Sequence, residues 1–211
     1  MVNFDNFSQK SDTTVSSSQS FSHSCGQDAT CLIVGGHTGG AGISSITYDS
    51  VTMGRVWGQS TDRAFLFALT NPSKGANTVS ITMGASDFFG GGGISFSGTE
   101  VTSGTAEVIG ITNGSSPGSV TSVSLSIATK SDGSLNTDNL GTDAGTSFNT
   151  TGVRQSSRYA ATANNMSRGS TQDADVTSNY TVGWSWTTAT TTNYCCAEIR
   201  PPSDRPQIIS Y

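Results

Sequence analysis

The sequence predicts an all-β protein, a single antiparallel β-sandwich that is jelly-roll-like and carries short N- and C-terminal arms. Three observations carry this. Ser, Thr and Gly number 35, 30 and 25 and together make 90 of the 211 residues; these are residues of turns and pleated surfaces more than of helix interiors. Val, Ile, Thr and aromatic residues recur in short runs that alternate with polar ones, the period of a strand with one buried face. Charged residues are only 12% and Pro only 5, so the Glu, Lys and Pro enrichment of disordered chains is missing although the hydrophobic fraction is just 33%. Ala, Leu, Glu and Lys are too scarce to fill a helical bundle, and the length suits one large sandwich.

Residues 1–15 read as an N-terminal arm, 16–201 as the sandwich and 202–211 as a C-terminal arm. The first strand spans residues 16–25 and places Phe21 and His23 on one face. The next spans 30–38, with Cys31, Leu32, Ile33 and Val34 before Gly35-Gly36. Ile43 to Tyr48 is a strand, Asp49-Ser50 a tight turn, and Val51-Thr52-Met53 and Arg55 to Gln59 follow. Asp62 to Thr70 is a continuous apolar run and reads as a buried strand. Asn71-Pro72-Ser73-Lys74-Gly75 is a turn sequence, because Asn-Pro opens a turn and Gly closes it. Asn77 to Met83 alternates, and with the run before it predicts an antiparallel pair across this five-residue loop. Strands at 87–97, 105–112, 119–128 and 133–140 have weaker patterning, and 141–150 and 163–175 read as loops. Tyr180, Val182, Trp184 and Trp186 share one face of a late strand, and Tyr194 to Ile199 closes the domain. Phe65, Phe67, Leu69, Val79, Ile81 and Trp184 are the expected core, with Leu66 and Ala68 on the opposite side of their strand.

Several of these segments share a pattern. Cys31-Leu32-Ile33-Val34-Gly35-Gly36-His37 is followed by Ile46-Thr47-Tyr48-Asp49-Ser50-Val51-Thr52-Met53. Then come Ala64 to Pro72 with Gly75 to Ile81, and finally Trp184-Ser185-Trp186 and Ala197-Glu198-Ile199-Arg200-Pro201. The order resembles a loosely defined family of β-sandwich domains found in tailed-phage structural proteins and bacterial surface proteins. Its pattern runs LxVxxxxG, xxVTYxGxxLT and a hairpin of the form NPxxGxxTVxVT, and ends on a strand stopped by Pro. Asp49 and Ser50 stand where that family has glycines. These are packing motifs, so the resemblance implies a fold and no catalytic residue.

The charge pattern narrows the function classes. The net charge is −5 and no stripe of Lys or Arg appears, which disfavours nucleic acid as a partner. No apolar run reaches the 18 or so residues of a membrane helix, and Met1 to Asp5 has neither the basic nor the apolar region of a signal peptide. Cys25 and Cys31 flank a turn and are either a disulfide or two free thiols; Cys195 and Cys196 are adjacent and face opposite sides of a strand. His23, Cys25, Cys31 and His37 have a spacing that matches no common zinc pattern. Asp132, Asp138 and Asp143, with Asn136 and Asn139, offer oxygen ligands for calcium but not in EF-hand order, and turn chemistry accounts for them as well. Gly90 to Gly93 lacks the Lys-Ser/Thr of a phosphate loop and reads as a packing device that leaves room for Trp57, Trp184 or Trp186. With only His23 and His37 available, no acid–base constellation stands out, and His37 reads as a polar residue at a strand end.

The expected function is therefore that of a non-enzymatic virion structural protein of a tailed bacteriophage, a capsid decoration protein or a tail or head-fibre component. It would be made in the host cytoplasm and need no cofactor or metal. Its expected partners are other copies of itself and other virion proteins, with a host-surface glycan as a further candidate, and neither nucleic acid nor membrane. The alternative is a secreted or surface-displayed glycan-binding module or filament subunit. For assembly, the candidate contacts are Ile208, Ile209 and Tyr211, a β-prone apolar segment after Pro206.

Overall fold

A computed structural model describes residues 1–11, 13–58, 63–99, 109–144, 147–162 and 166–202. Among these residues the chain is entirely strand and turn, arranged as three antiparallel sheets. The middle sheet has the order β1-β9-β3-β7-β6, from β1 (Asn3–Ser11), β9 (Phe89–Ser97), β3 (Ala29–Thr38), β7 (Ala64–Thr70) and β6 (Gly54–Trp57). The front sheet has the order β2-β8-β4-β5, from β2 (Ser16–Cys25), β8 (Gly75–Asp87), β4 (Ile43–Tyr48) and β5 (Val51–Thr52). The back sheet has the order β10-β15-β11-β14-β13, from β10 (Ile109–Ala128), β15 (Asn179–Ile199), β11 (Ser134–Thr142), β14 (Met166–Ala174) and β13 (Gln155–Ala161); the short β12 (Asn149–Thr150) also pairs with β15. The all-β, antiparallel fold is the one expected and is consistent with a β-sandwich; a jelly roll has two sheets, and this chain adds a third.

The reason for three layers is visible in β3 and β7. Alternate residues leave opposite faces of a strand. Leu32, Val34, Phe65 and Phe67 enter the front core with Phe21, Ile46, Tyr48, Val79 and Ile81. Cys31, Ile33, Leu66 and Ala68 enter the back core with Leu135, Tyr159, Ala197 and Ile199. A strand apolar on both faces must be covered on both, as strands between two layers are. The front sheet needs only one apolar face, and β2 and β8 alternate accordingly.

Several expectations change. The β7 and β8 strands are not a pair: β7 joins β3 and β6, while β8 joins β2 and β4. Asn71, with φ at 48°, and Gly75, with φ at 78°, turn the chain from the middle sheet into the front one. Residues 3–11, expected in an arm, form β1 and pair with β9, and Val2 is buried at their head. Residues 163–175 do not form a loop throughout, since 166–174 are β14. The late strands at 180–186 and 194–199 are one strand, β15. Trp184 is buried in a third core, apart from Phe65, Phe67, Val79 and Ile81; Leu69 packs at the margin of the front core. Ile208, Ile209 and Tyr211 lie outside the described residues.

The third core forms because the β10-β15 ribbon bends. Val120 faces Thr190, but Ser122 faces Ser185, so β15 carries extra residues between 185 and 190. A bulge of this kind bends its strand. Val182, Trp184 and Trp186 then pack with Leu140, Tyr194 and Cys196 on the outer face of the back sheet.

Gly90 to Gly93 pair with His37, Gly36, Gly35 and Val34 in register, making a floor with almost no side chains. The aromatic residue received on its back face is Tyr159, rather than one of the three tryptophans. A Cβ on Gly92 would lie 2.7 Å from the Tyr159 ring and closer still to the Ser8 carbonyl oxygen. Gly92→Ala is therefore expected to destabilise the fold by about 3 kcal/mol through overpacking. Gly84→Ala, whose nearest contact would be 3.4 Å, should change stability little. Urea unfolding of the two variants checks this, and equal effects would contradict the packing role.

Candidate functional site

His23, Cys25, Cys31 and His37, whose spacing fits no common zinc pattern, do not converge in space either. His23 is on β2, where Nδ1 is 2.8 Å from Ser8 Oγ and the ring stands edge-on to Tyr48 at 6.3 Å. His37 is on β3 against Gly141 of the back sheet. The side chain of Cys25 enters the front core and that of Cys31 the back core, so strand alternation turns the two thiols to different faces and no disulfide joins them. Burial raises the thiol pKa of both. Cys195 is in the back core and Cys196 in the third. Among the described residues no group of His, Cys, Asp or Glu is placed to hold a metal ion.

The oxygen-bearing residues of 132–143 also part. Asp132 is exposed and accepts from the Thr177 backbone N–H and hydroxyl, which lowers its pKa. Asp143 pairs with Arg63 at 2.7 Å. Asn139 is buried; its Nδ2 donates to Gly36 O at 2.8 Å, and its Oδ1 accepts from Tyr159 and Ser167 at 2.7 and 2.6 Å. Asn136 donates to Gln172 Oε1.

His37 is fully buried and neither ring nitrogen has a hydrogen-bond partner. Its Nε2 is 3.8 Å from Asp143 Oδ1. Burial lowers its pKa to about 4 against the opposing pull of Asp143, so at neutral pH the imidazole is uncharged. A ring with no partner and no exposure has no route to a substrate in this state.

What the structure does assemble is a polar knot around Asp138. This carboxylate, on β11, is 1% exposed. Its Oδ1 accepts from Ser170 N at 2.8 Å. Its Oδ2 accepts from Tyr194 OH at 2.6 Å, Gln155 Nε2 at 2.9 Å and Trp184 Nε1 at 3.1 Å. Gln155 Nε2 also donates to Ser170 Oγ at 2.7 Å, and its Oε1 accepts from Gly152 N and Gly183 N at 2.8 and 3.0 Å. Four strands, β11, β13, β14 and β15, thus meet through one carboxylate. Desolvation raises the Asp138 pKa to about 6, held back by the hydrogen bonds from Tyr194, Ser170 and Trp184. These donors are uncharged, so among the described residues the carboxylate is stabilised by dipoles rather than by a counter-charge.

Spacing along the sequence named Asp138 but not its partners. Gln155 and Ser170 lie in stretches without an apolar pattern, and Ser170 fell in a segment expected to be a loop. The one signal was Asn136-Thr137-Asp138-Asn139 between Leu135 and Leu140, a polar run inside a strand. The groove of about 380 Å³ near the N-terminus is lined by Met1, Phe4, Ser134, Arg154, Asp173 and Asp175 among others and does not include Asp138. The Arg154 guanidinium there already pairs with both aspartates.

Asp138 and the two histidines set opposite pH dependences. The folded-state pKa of Asp138, about 6, is above its ordinary 3.8. Its contribution to stability is therefore greatest below about pH 4 and falls by about 3 kcal/mol as pH rises through 6. His23 and His37 are lowered to about 4 from 6.5; their contributions are full above pH 6.5 and are lost as pH falls toward 4. Asp138→Asn removes only the first effect. Relative to the parent, this variant is expected to gain stability by a few kcal/mol between pH 4 and pH 6 in urea titrations. A difference that is flat across that window would show that the buried carboxyl does not titrate there.

Against this geometry, no family model, no curated protein and no solved structure matches the chain.

Proposed function

We propose that the chain is a non-enzymatic structural protein of a virion, of the tailed-phage kind, which works by protein–protein assembly in many copies. The observation that carries this reading is where the chemistry lies. The outward face of the front sheet is a neutral array of hydroxyl groups. Across β2, β8 and β4, Ser18, Thr82 and Ser45 form one row, Ser20, Ser80 and Thr47 the next, and Ser22 and Thr78 a third. No charged or aromatic residue interrupts these rows. Such a face meets another flat, neutral surface through many weak contacts, and repetition over copies supplies the strength.

Most of the aromatic residues that a glycan platform could use are turned inward, with Tyr180 half-buried and Phe7 exposed on β1. Tyr159, Trp184, Trp186 and Tyr194 are buried, and Trp57 packs against the back core. The imidazoles, the thiols and Asp138 are buried too. Among the described residues no helix is long and apolar enough to cross a membrane. The likeness of residues 31–37 and 64–81 to phage sandwich motifs supports the choice of particle. The partners under this reading are further copies and other virion proteins, with Ile208, Ile209 and Tyr211 as additional contacts.

Gradient-purified particles from the source should contain the chain in many copies, as read by quantitative mass spectrometry and immunogold labelling. The double variant Ser20→Glu, Thr78→Glu should keep its stability within about 0.5 kcal/mol, as exposed substitutions do, while incorporation drops at least tenfold. Recovery of the chain only outside particles, as a monomer, would overturn the proposal.

A further inference from the structure

Gln155 and Ser170 are placed as reactants as well as hydrogen-bonding partners. Both are buried, on the adjacent strands β13 and β14, with Ser170 Oγ 2.7 Å from Gln155 Nε2. The carboxamide oxygen receives two backbone N–H groups, from Gly152 at 2.8 Å and Gly183 at 3.0 Å. Two fixed N–H donors on one carbonyl oxygen are the arrangement that stabilises an oxyanion in acyl transfer. They also settle which end of the amide is oxygen, since the reverse would set an NH2 group against two donors. Asp138 completes the group. Its Oδ2 is 2.9 Å from Nε2, and its Oδ1 holds the Ser170 backbone N–H at 2.8 Å.

We propose that Ser170 and Gln155 form an intramolecular ester, Oγ to Cδ, with release of ammonia and with Asp138 as the proton carrier. Ser170 O–H gives its proton to Asp138 as Oγ bonds Cδ. The carbonyl electrons move onto Oε1, beneath the Gly152 and Gly183 N–H groups. Their return expels Nε2, which takes the proton from Asp138 and leaves as ammonia. One C–O bond forms and one C–N bond breaks; Asp138 ends as it began, and no oxidant or cofactor enters. Before reaction Oγ lies beside Nε2, so attack requires a rotation about the Ser170 Cα–Cβ bond to bring it over the carbonyl carbon. An acid whose pKa is near 6 suits both halves of the transfer at neutral pH. Burial then shields the ester from water. The bond would fasten β13, an edge strand among the described residues, to its neighbour β14, and act on the unfolded chain as a disulfide does.

Intact-mass spectrometry of the folded full chain tests this. The expected mass is below the sequence mass by one ammonia. Ser170→Ala and Gln155→Glu should show no such loss, and Ser170→Thr, which keeps a hydroxyl, should retain it; circular dichroism confirms strand content for each. A loss that persists in Ser170→Ala comes from elsewhere, for example from imide formation at Asn113-Gly114, and would overturn the proposal. Trypsin cuts after Arg154, Arg158 and Arg168, whereas Pro201 and Pro206 protect Arg200 and Arg205. The digest should therefore contain peptide 155–158 joined to 169–211, separable by hydroxylamine. The two peptides found only apart, from protein of full sequence mass, would also overturn it. In Asp138→Asn, formation after refolding should slow by about a hundredfold or more, the scale of acid–base assistance; an unchanged rate would remove Asp138 from the chemistry.

Discussion

The rest of the structure depends on one sheet that is buried on both faces. The middle sheet touches water only at its edges and ends, so its central strands carry apolar residues at consecutive positions. β7 runs Ala64, Phe65, Leu66, Phe67, Ala68 with every one of them buried. A chain with a hydrophobic fraction of 33% could not fill two separate sandwiches. It fills the front and back cores by using the same strands twice, and the front sheet then needs an apolar residue only at every second position. That economy explains how so much Ser and Thr coexists with a close-packed interior: the hydroxyls occupy the alternate, outward positions of the front sheet.

Burial on both faces also restricts what can lie across the sheet. β9 and β3 meet as a glycine floor, and ring edges occupy the space that side chains would have taken. Tyr159 lies on the back of this floor, and Phe89 closes against Gly36 and Gly91. The phenol of Tyr159 must then find a partner inside the protein, because a buried hydroxyl without one costs about 1–3 kcal/mol. Asn139 supplies it and at the same time bonds the Gly36 carbonyl. The back sheet is thereby registered on the middle one by polar contacts as well as by apolar packing.

Strand identity was legible in the sequence wherever apolar residues set the period. The sequence predicts strands at 30–38, 62–70 and 77–83, and turns at Asp49-Ser50 and Asn71 to Gly75. What a turn sequence does not encode is which sheet receives the next strand, so β7 and β8 were read as a hairpin although the chain changes layer between them. The continuous runs in β3 and β7 held the sign of a doubly buried sheet, since one-sided burial needs only alternation. β14 was invisible for a different reason. Its buried side chains are polar on both faces: Ser167 turns toward the middle sheet and meets Asn139, while Ser170 and Gln172 leave the opposite face and meet Gln155 and Asn136. A hydrophobic pattern cannot reveal a strand whose core is polar, and the same gap hid Gln155 and Ser170.

The Asp138 knot follows from the bent ribbon. Once extra residues in β15 turn its first half over the back sheet, Trp184 is carried down onto Leu140 and Tyr194, and its indole N–H needs an acceptor in a dry place. A neutral acceptor would serve one or two donors; a carboxylate has lone pairs for the indole, the phenol, the carboxamide and the Ser170 N–H together. The cost is a charge held by dipoles alone, seen in the raised pKa. That cost has a structural return. An apolar side chain at position 138 would leave four buried donors without partners, while the ribbon could then slide over a smooth surface. With Asp138 in place, only the register that brings Trp184 Nε1 and Gly183 N to their acceptors satisfies these two donors, so the buried carboxylate also specifies how the bent first half of β15 sits on the back sheet.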